Sequence, residues 1–343
     1  LRAVGPLAAL ALRTAALHAQ GGPYPLEPSP VLDISTLART PQVGGYLSLR
    51  ETVRNDSSAF LLNRARATVT AAPLPSIVVR LQGDFSSTTA GHLDGDSTVH
   101  GFALTDAYVQ LTPAPAHGVL ARLRPSVIAG QFKQPFSLEY LTPYSQLLTP
   151  NRAQVVDNLA AKRDIGVMAQ GHWGRAVTLA LGVANGEGPN TIANPNGRQL
   201  VLGRLTVSPV AGLALSGKLA NEGPDHLRGY DGRWLWRALI VEGEAIHRSR
   251  PVNGDAVDAG GGYVTAAYRV LPWLQPVFKH EWYRETRTTL GVTTDVRSEW
   301  STMGANVLAR NDAVRLQLVW VVKSEQPVAV RNNEIEAQLV AAF

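Results

Sequence analysis

The sequence predicts an all-β fold, a transmembrane antiparallel β-barrel of about sixteen strands. Three observations carry that expectation. From Gly44 onward apolar and polar residues alternate with period two, which marks strands whose two faces see different surroundings. Short turns alternate with long stretches rich in Gly, Asp and Asn, as in barrels with short periplasmic turns and long external loops. The last alternating strand ends the chain on an aromatic residue, Phe343.

Composition agrees. The chain has 343 residues and no cysteine, so disulfides, thiolate catalysis and Cys-ligated metals are excluded together. A mean hydropathy of −0.03 is too polar for a bundle of membrane helices. After the N-terminus there is no uncharged apolar run of the ~18 residues that a spanning helix needs. The formal charge of +5 is carried almost wholly by arginine, with lysine only at 133, 162, 218, 279 and 323. Arginine presents a planar fork of donors suited to phosphate or carboxylate.

Taken in order, residues 1–19 read as an export signal. Arg2 precedes the apolar stretch Ala3 to Leu17, and Leu17-His18-Ala19 offers a small residue before a cut at Gln20. Arg13 interrupts the apolar stretch, and a short amphipathic helix is the competing reading. Removal of 1–19 takes away Arg2 and Arg13 and no acid, which leaves +3. Residues 20–42, with Pro23, Pro25, Pro28, Pro30 and Pro41, read as an irregular leader, and the barrel is expected over 43–343.

The clearest strand runs from Ser76 to Ser86. Ile77, Val79, Leu81, Gly83 and Phe85 share one face, and Arg80, Gln82, Asp84 and Ser86 the other. The pattern returns at 211–220, where Leu213, Leu215, Gly217 and Leu219 alternate with Ser216 and Lys218. At 313–323, Val314, Leu316, Leu318, Trp320 and Val322 oppose Arg315, Gln317 and Lys323. In the last segment Ile335, Ala337, Leu339, Ala341 and Phe343 alternate with Glu334, Glu336 and Gln338. Short turns are expected near 72–75, 113–119, 173–174, 208–211, 236–238, 271–273 and 310–312, and long external loops near 86–101, 134–162, 186–198, 221–230, 249–260, 285–299 and 324–331. A soluble sandwich also alternates. Here, however, the face opposite the apolar one carries Arg, Asp, Glu and Gln that a packed core would have to satisfy. Trp173, Trp234, Trp236, Trp273, Trp282, Tyr283 and Trp300 fall near strand ends, as interfacial girdles do.

Gly130-Gln131-Phe132-Lys133-Gln134-Pro135-Phe136-Ser137-Leu138-Glu139 resembles the phosphate-selective porin O and P family. So do, in order, Phe60 to Ala67, Asp106-Ala107-Tyr108-Val109, Arg163-Asp164-Ile165-Gly166-Val167, Ala184-Asn185-Gly186 with Gly203-Arg204-Leu205, Tyr263 to Pro276 and Met303-Gly304-Ala305-Asn306. The resemblance spans most of 44–343. It implies a homotrimer of sixteen-stranded pores in the bacterial outer membrane, with the third long loop, here 134–162, folded inward. It also implies a narrow zone of arginines and lysines that strips and holds phosphate or a related anion. The final strand with its terminal aromatic resembles the signal read by the barrel-assembly machinery, through Phe343. Five lysines are few for that family's selective members, and Asn63 stands where an arginine is expected, so general anion preference is the safer expectation.

Face parity supplies the pore candidates. Lys133 shares a face with Gln131, opposite Ile128 and Phe132. Arg64 and Arg66 share a face with Thr68 and Thr70, Arg80 opposes the cleanest apolar face, and Arg50 shares a face with Ser48. Arg204 and Lys218 read as inward, and Arg163 sits where the loop rejoins the wall. Arg122 and Arg124 have the wrong parity and stay unassigned. The bland alternative is that such cations pair with acids such as Glu51, Asp84, Asp106 or Glu139 and brace the inward loop. Enzyme signatures are nearly absent. His280-Glu281 is followed by Arg284 where a zinc helix needs a second His, and Gly95-Asp96-Ser97, beside Asp94, reads as a loop tip. No cofactor, metal or nucleic acid is expected; the partners expected are small anions and outer-membrane lipid. Three readings stay open, an anion channel, a general weakly selective porin, and a non-conducting structural or adhesive barrel.

Overall fold

The computed structural model describes residues 24–55, 57–86, 102–113, 118, 122–328, 330 and 332–343. The export segment 1–19 and the tip with Asp94 and Gly95-Asp96-Ser97 lie outside the described residues. Sixteen strands follow one another: β1 (Gln42–Arg54), β2 (Ser57–Leu74), β3 (Ile77–Asp84), β4 (Ala103–Leu111), β5 (Ser126–Lys133), β6 (Arg163–Trp173), β7 (Val177–Ala184) and β8 (Leu200–Val210). Then come β9 (Leu213–Glu222), β10 (Asp225–Trp236), β11 (Leu239–Val252), β12 (Asp255–Tyr268), β13 (Leu274–Thr289), β14 (Val292–Ala309), β15 (Val314–Gln326) and β16 (Glu334–Ala342). Each pairs antiparallel with its neighbours in sequence, and β16 pairs with β1 to close the barrel. The seam runs from Tyr46↔Ala342 to Arg54↔Glu334 and is finished by Gly45 and Phe343, which exchange two backbone hydrogen bonds at 3.0 Å. Closure leaves no unpaired strand edge, which hydrocarbon could not satisfy.

The alternation sorts faces as expected. Ile335 and Leu339 on β16 are exposed, while Glu334, Glu336 and Gln338 are buried. The same holds on β15, with Leu318 and Trp320 outside and Arg315 and Gln317 inside. Trp173, Trp234, Trp236, Trp273 and Trp282 face outward. Trp300 and Tyr283 do not. The Lys323 ammonium sits 4.3 Å from the Trp300 ring centroid, and Tyr283 packs on the apolar cluster of the inward loop. Proximity to a strand end says nothing about which face a ring takes.

Two further expectations need correction. The stretches near 221–230, 249–260 and 285–299 are not long loops. β9 runs to Glu222 and β10 starts at Asp225, β11 and β12 meet at 253–254, and β13 and β14 meet at 290–291. These strands reach 16 and 18 residues, beyond the ~9–11 that cross the membrane. Above the lipid both faces are wet, so the alternation that identifies a strand fades while the ladder continues. Ile128 and Phe132, expected on the outer face, are fully buried with Tyr108, Met168 and Ala180. Both lie on one face with buried Ser126, as regular alternation along β5 requires; that face is the inner one, and it is apolar because Val31 packs against it.

Residues 134–162 fold into the lumen. They form a short helix α1 (Leu138–Leu141), capped by the Ser137 side chain, a 3₁₀ turn at Tyr144–Gln146 and a helix α2 (Gln154–Leu159). Phe136, Tyr140, Val155, Val156 and Leu159 pack against Leu202, Ala220, Leu227, Ile246 and Ala259 of the β8–β12 wall. The loop therefore leans on one side of the barrel and leaves space along β14–β16 and β1–β6. Residues 24–34 also lie inside, at the short-turn end.

Candidate functional site

Two sectors of the lumen differ in charge, and the inward loop divides them. Behind the loop, on β8–β13, cations and acids balance. Arg204 grips both Asp231 carboxylate oxygens at 2.7 and 2.8 Å and donates to Phe136 O at 2.6 Å. Lys218 bridges Asp231 (2.7 Å) and Glu244. Glu244 in turn accepts from Ser137 Oγ at 2.9 Å. Glu139 accepts from Lys279 Nζ at 2.9 Å and from the Ala153 amide at 2.7 Å. Here Arg204 and Lys218 hold the loop to the wall, as the bracing alternative describes.

The open sector is different. Arg50, Arg64, Arg66, Arg80 and Arg163 reach it from β1, β2, β3 and β6, Lys133 from the end of β5, and Arg152 from the loop. Arg66 Nε donates to Asp84 Oδ2 at 2.8 Å and Arg64 Nε lies 3.9 Å from the same oxygen. Asp106 is shared by Arg163 at 2.8 Å and Arg80 at 3.3 Å. Arg50 meets Glu336 at 3.5 Å and also donates to Asn151 Oδ1 (2.6 Å) and Tyr144 Oη (2.8 Å), so it clamps the loop tip. Lys133 Nζ donates to Tyr140 O at 2.7 Å, where the carbonyls at the end of α1 carry partial negative charge. Glu51 belongs to the outward face of β1 with Leu49 and Val53.

Aromatic rings floor this sector. The guanidinium carbon of Arg152 lies 4.6 Å from the Tyr140 centroid and 5.6 Å from that of Tyr144, and that of Arg64 lies 4.8 Å from Tyr144. Contact with a ring face holds a guanidinium in place without consuming its in-plane donors. Tyr46 and Tyr144 stack with centroids 6.4 Å apart.

Two chambers result, and Arg64, Arg66 and Tyr144 mark the passage between them. The outer one, about 650 Å³, is lined by six cationic side chains (Arg50, Arg54, Arg64, Arg152, Lys162, Lys323) against three acids, Asp157, Glu334 and Glu336. The inner one, about 240 Å³, is lined by Arg66, Arg80, Lys133 and Arg163 against Asp106. Tyr144 lines both. All eight candidates thus sit on the inner side of the barrel wall; six border the chambers, and Arg204 and Lys218 are placed away from them.

Sequence reasoning missed Asn63, Arg152, Arg54 and Lys323. Asn63 and Arg64 both face inward because the β1–β2 register shifts between Ser48 and Leu49, and Asn63 donates to Tyr144 Oη and Gln338 Oε1. Arg54 has the parity of Arg50, and Lys323 lies on a polar face already identified, so both were within reach of the same signal. Arg152 lies in a loop with no periodicity to read.

A family model described as phosphate-selective porin O and P matches residues 51–239, more than half of the chain. The resembling pieces at 263–276 and 303–306 fall outside that span. Among solved structures, the barrel is similar to OmpT of Vibrio cholerae in its trimer form, at 11% identity and a TM-score of 0.62 over 89% of this chain and 99% of that one. It is similar to an anion-selective porin from Comamonas acidovorans, at 12% identity and 0.62 over 89% and 99%. OmpF of Salmonella typhi in complex with daunomycin is similar at 10% identity and 0.62 over 88% and 97%. At such identities these likenesses establish the fold. No curated protein matches the sequence.

Proposed function

The chain belongs to the phosphate-selective porin O and P family and forms an outer-membrane channel, and from that premise we propose that it passes small anions, with phosphate or a related oxyanion preferred. One observation carries this reading: the open lumen is lined by cations in excess of acids in both chambers, six to three and then four to one, among the described residues. An anion entering from outside meets Arg50, Arg64 and Arg152, passes Tyr144, and is handed to Arg66, Arg80, Lys133 and Arg163. Hydrogen bonds from guanidinium and ammonium groups replace the hydration it loses, and low-dielectric walls strengthen the attraction. Several shallow sites favour release better than one deep site. Lys218 acts on the path only through the loop it holds, whereas Arg204 also lines a space of about 510 Å³ at the short-turn end of the lumen.

A second reading has its own support. Asp84 and Asp106 already occupy donors of Arg66, Arg80 and Arg163, which weakens the hold on any one anion and suits general anion preference. Assembly is read as a homotrimer, in line with the trimer form of the OmpT structure, and Phe343 at the barrel seam as the mark for the assembly machinery.

Titrating phosphate against chloride conductance of the purified protein in a planar bilayer separates the readings. Block of chloride current by micromolar-to-millimolar phosphate, relieved in Arg66→Ala, supports an oxyanion site. Chloride current that phosphate does not block reduces the protein to a general anion porin.

A further inference from the structure

We propose that Tyr24–Ile34 is an internal strap, a second constriction that stands in the periplasmic half of the lumen and narrows the exit from the inner chamber. The proposal rests on the channel reading but uses residues outside the cationic sector. The strap is anchored around the wall. Tyr24 Oη donates to Glu242 Oε2 at 2.9 Å, and Arg233 donates to Pro25 O while its guanidinium covers the Tyr24 ring at 4.4 Å. The Glu27 carboxylate accepts from Thr178 Oγ1 at 3.0 Å and from Ser208 Oγ. Ser29 Oγ donates to Gln170 Oε1 at 2.8 Å. Gln110 binds Leu32 twice, accepting from its amide at 2.8 Å and donating to its carbonyl at 2.7 Å. Tyr108 Oη donates to Pro30 O at 2.9 Å. These anchors come from β4, β6, β7, β8, β10 and β11, so the segment spans much of the barrel wall.

Two independent features point the same way. An apolar patch in a water-filled lumen is unfavourable unless something covers it. Ile128, Phe132, Met168 and Ala180 form such a patch with Tyr108, and Val31 of the strap packs on it. The strap also stands between cavities, for Ser29, Pro30 and Leu32 line both the 240 Å³ chamber and a 510 Å³ space on the periplasmic side. Pro25, Pro28 and Pro30 lower the entropy lost when the segment is held extended.

The absence of cysteine permits a clean test on the full chain. In bilayers, replacing residues 24–34 by an equally long Gly/Ser run, or Val31→Asp to unseat the strap from its apolar patch, is expected to raise single-channel conductance roughly twofold or more. Folding of each variant is checked by the heat-dependent shift of its electrophoretic band. A second measurement needs no current. In Ser29→Cys, a 5-kDa polymer maleimide, too large for the lumen, should react about tenfold or more slowly than in Asn196→Cys at an exposed loop. Adding Val31→Asp to Ser29→Cys should remove the protection. Unchanged conductance in folded variants, or a Ser29→Cys thiol that reacts as fast as the Asn196→Cys thiol, overturns the strap. A wild-type barrel that passes no current, while the Ser29→Cys thiol stays protected, contradicts the channel reading instead and leaves the strap in place.

Discussion

At the scale of single residues, a cation in this lumen is defined by the acid it faces. Lys218 and Arg66 have the same parity signature in sequence, yet Lys218 sits between Asp231 and Glu244 behind the loop, whereas Arg66 shares Asp84 with Arg64 and borders open space. Removing one partner of a buried ion pair leaves an uncompensated charge at a cost of about 3–5 kcal/mol. Lys218→Met should therefore lower unfolding stability in detergent by about that amount while leaving phosphate block in folded channels near wild type. If Lys218→Met instead abolished the block at unchanged stability, Lys218 would belong to the ion path. Parity was legible wherever a strand alternates regularly, and failed at the bulge that turns both Asn63 and Arg64 inward. Partnership was not, since Arg204 meets Asp231 from two strands away, and nothing local in the sequence announces it.

At the scale of elements, the GQFK segment shows how a local break sets a site. A Cβ on Gly130 would lie 2.2 Å from Ala107 O, and the residue has φ 129°. Gln131 then turns its amide to Leu104 O and Thr105 O, at 2.7 and 3.0 Å, where the β4–β5 ladder ends. Lys133 follows against the end of α1. Gly130→Ala should cost about 1–3 kcal/mol from backbone strain alone, with the clash added. Gly188→Ala, also at positive φ but with open space around it, should cost less. Urea unfolding of the two variants compares them; equal losses would show that the close approach to β4 does not matter. The inward loop was legible as an element from its length and its motif resemblance. The reach of β10 to β14 was not, because strand residues above the lipid lose the two-faced environment that writes alternation into sequence. Nor was the covered patch at Ile128 and Phe132, since its cover comes from residues a hundred positions earlier.

At the scale of the whole molecule, the inward loop turns a closed barrel into a one-sided pore. Its apolar face takes up the β8–β12 wall, where charges cancel, and leaves the arginine-rich β1–β6 wall to the solvent path. That division, rather than net charge, is the basis for anion preference: the formal charge of +5 says nothing about where the cations stand. Sixteen strands, closure and the periplasmic position of the short turns follow from alternation and turn spacing; the division does not, because it depends on which wall the loop packs against.

The most direct measurement is the zero-current potential of the purified protein in a planar bilayer under a potassium chloride gradient. Chloride passing the arginine wall faster than potassium makes the dilute side negative, and Arg64→Ala with Arg66→Ala should shrink that potential. A dilute side that becomes positive would mean that cations carry the current, and the arginine wall would not be the path.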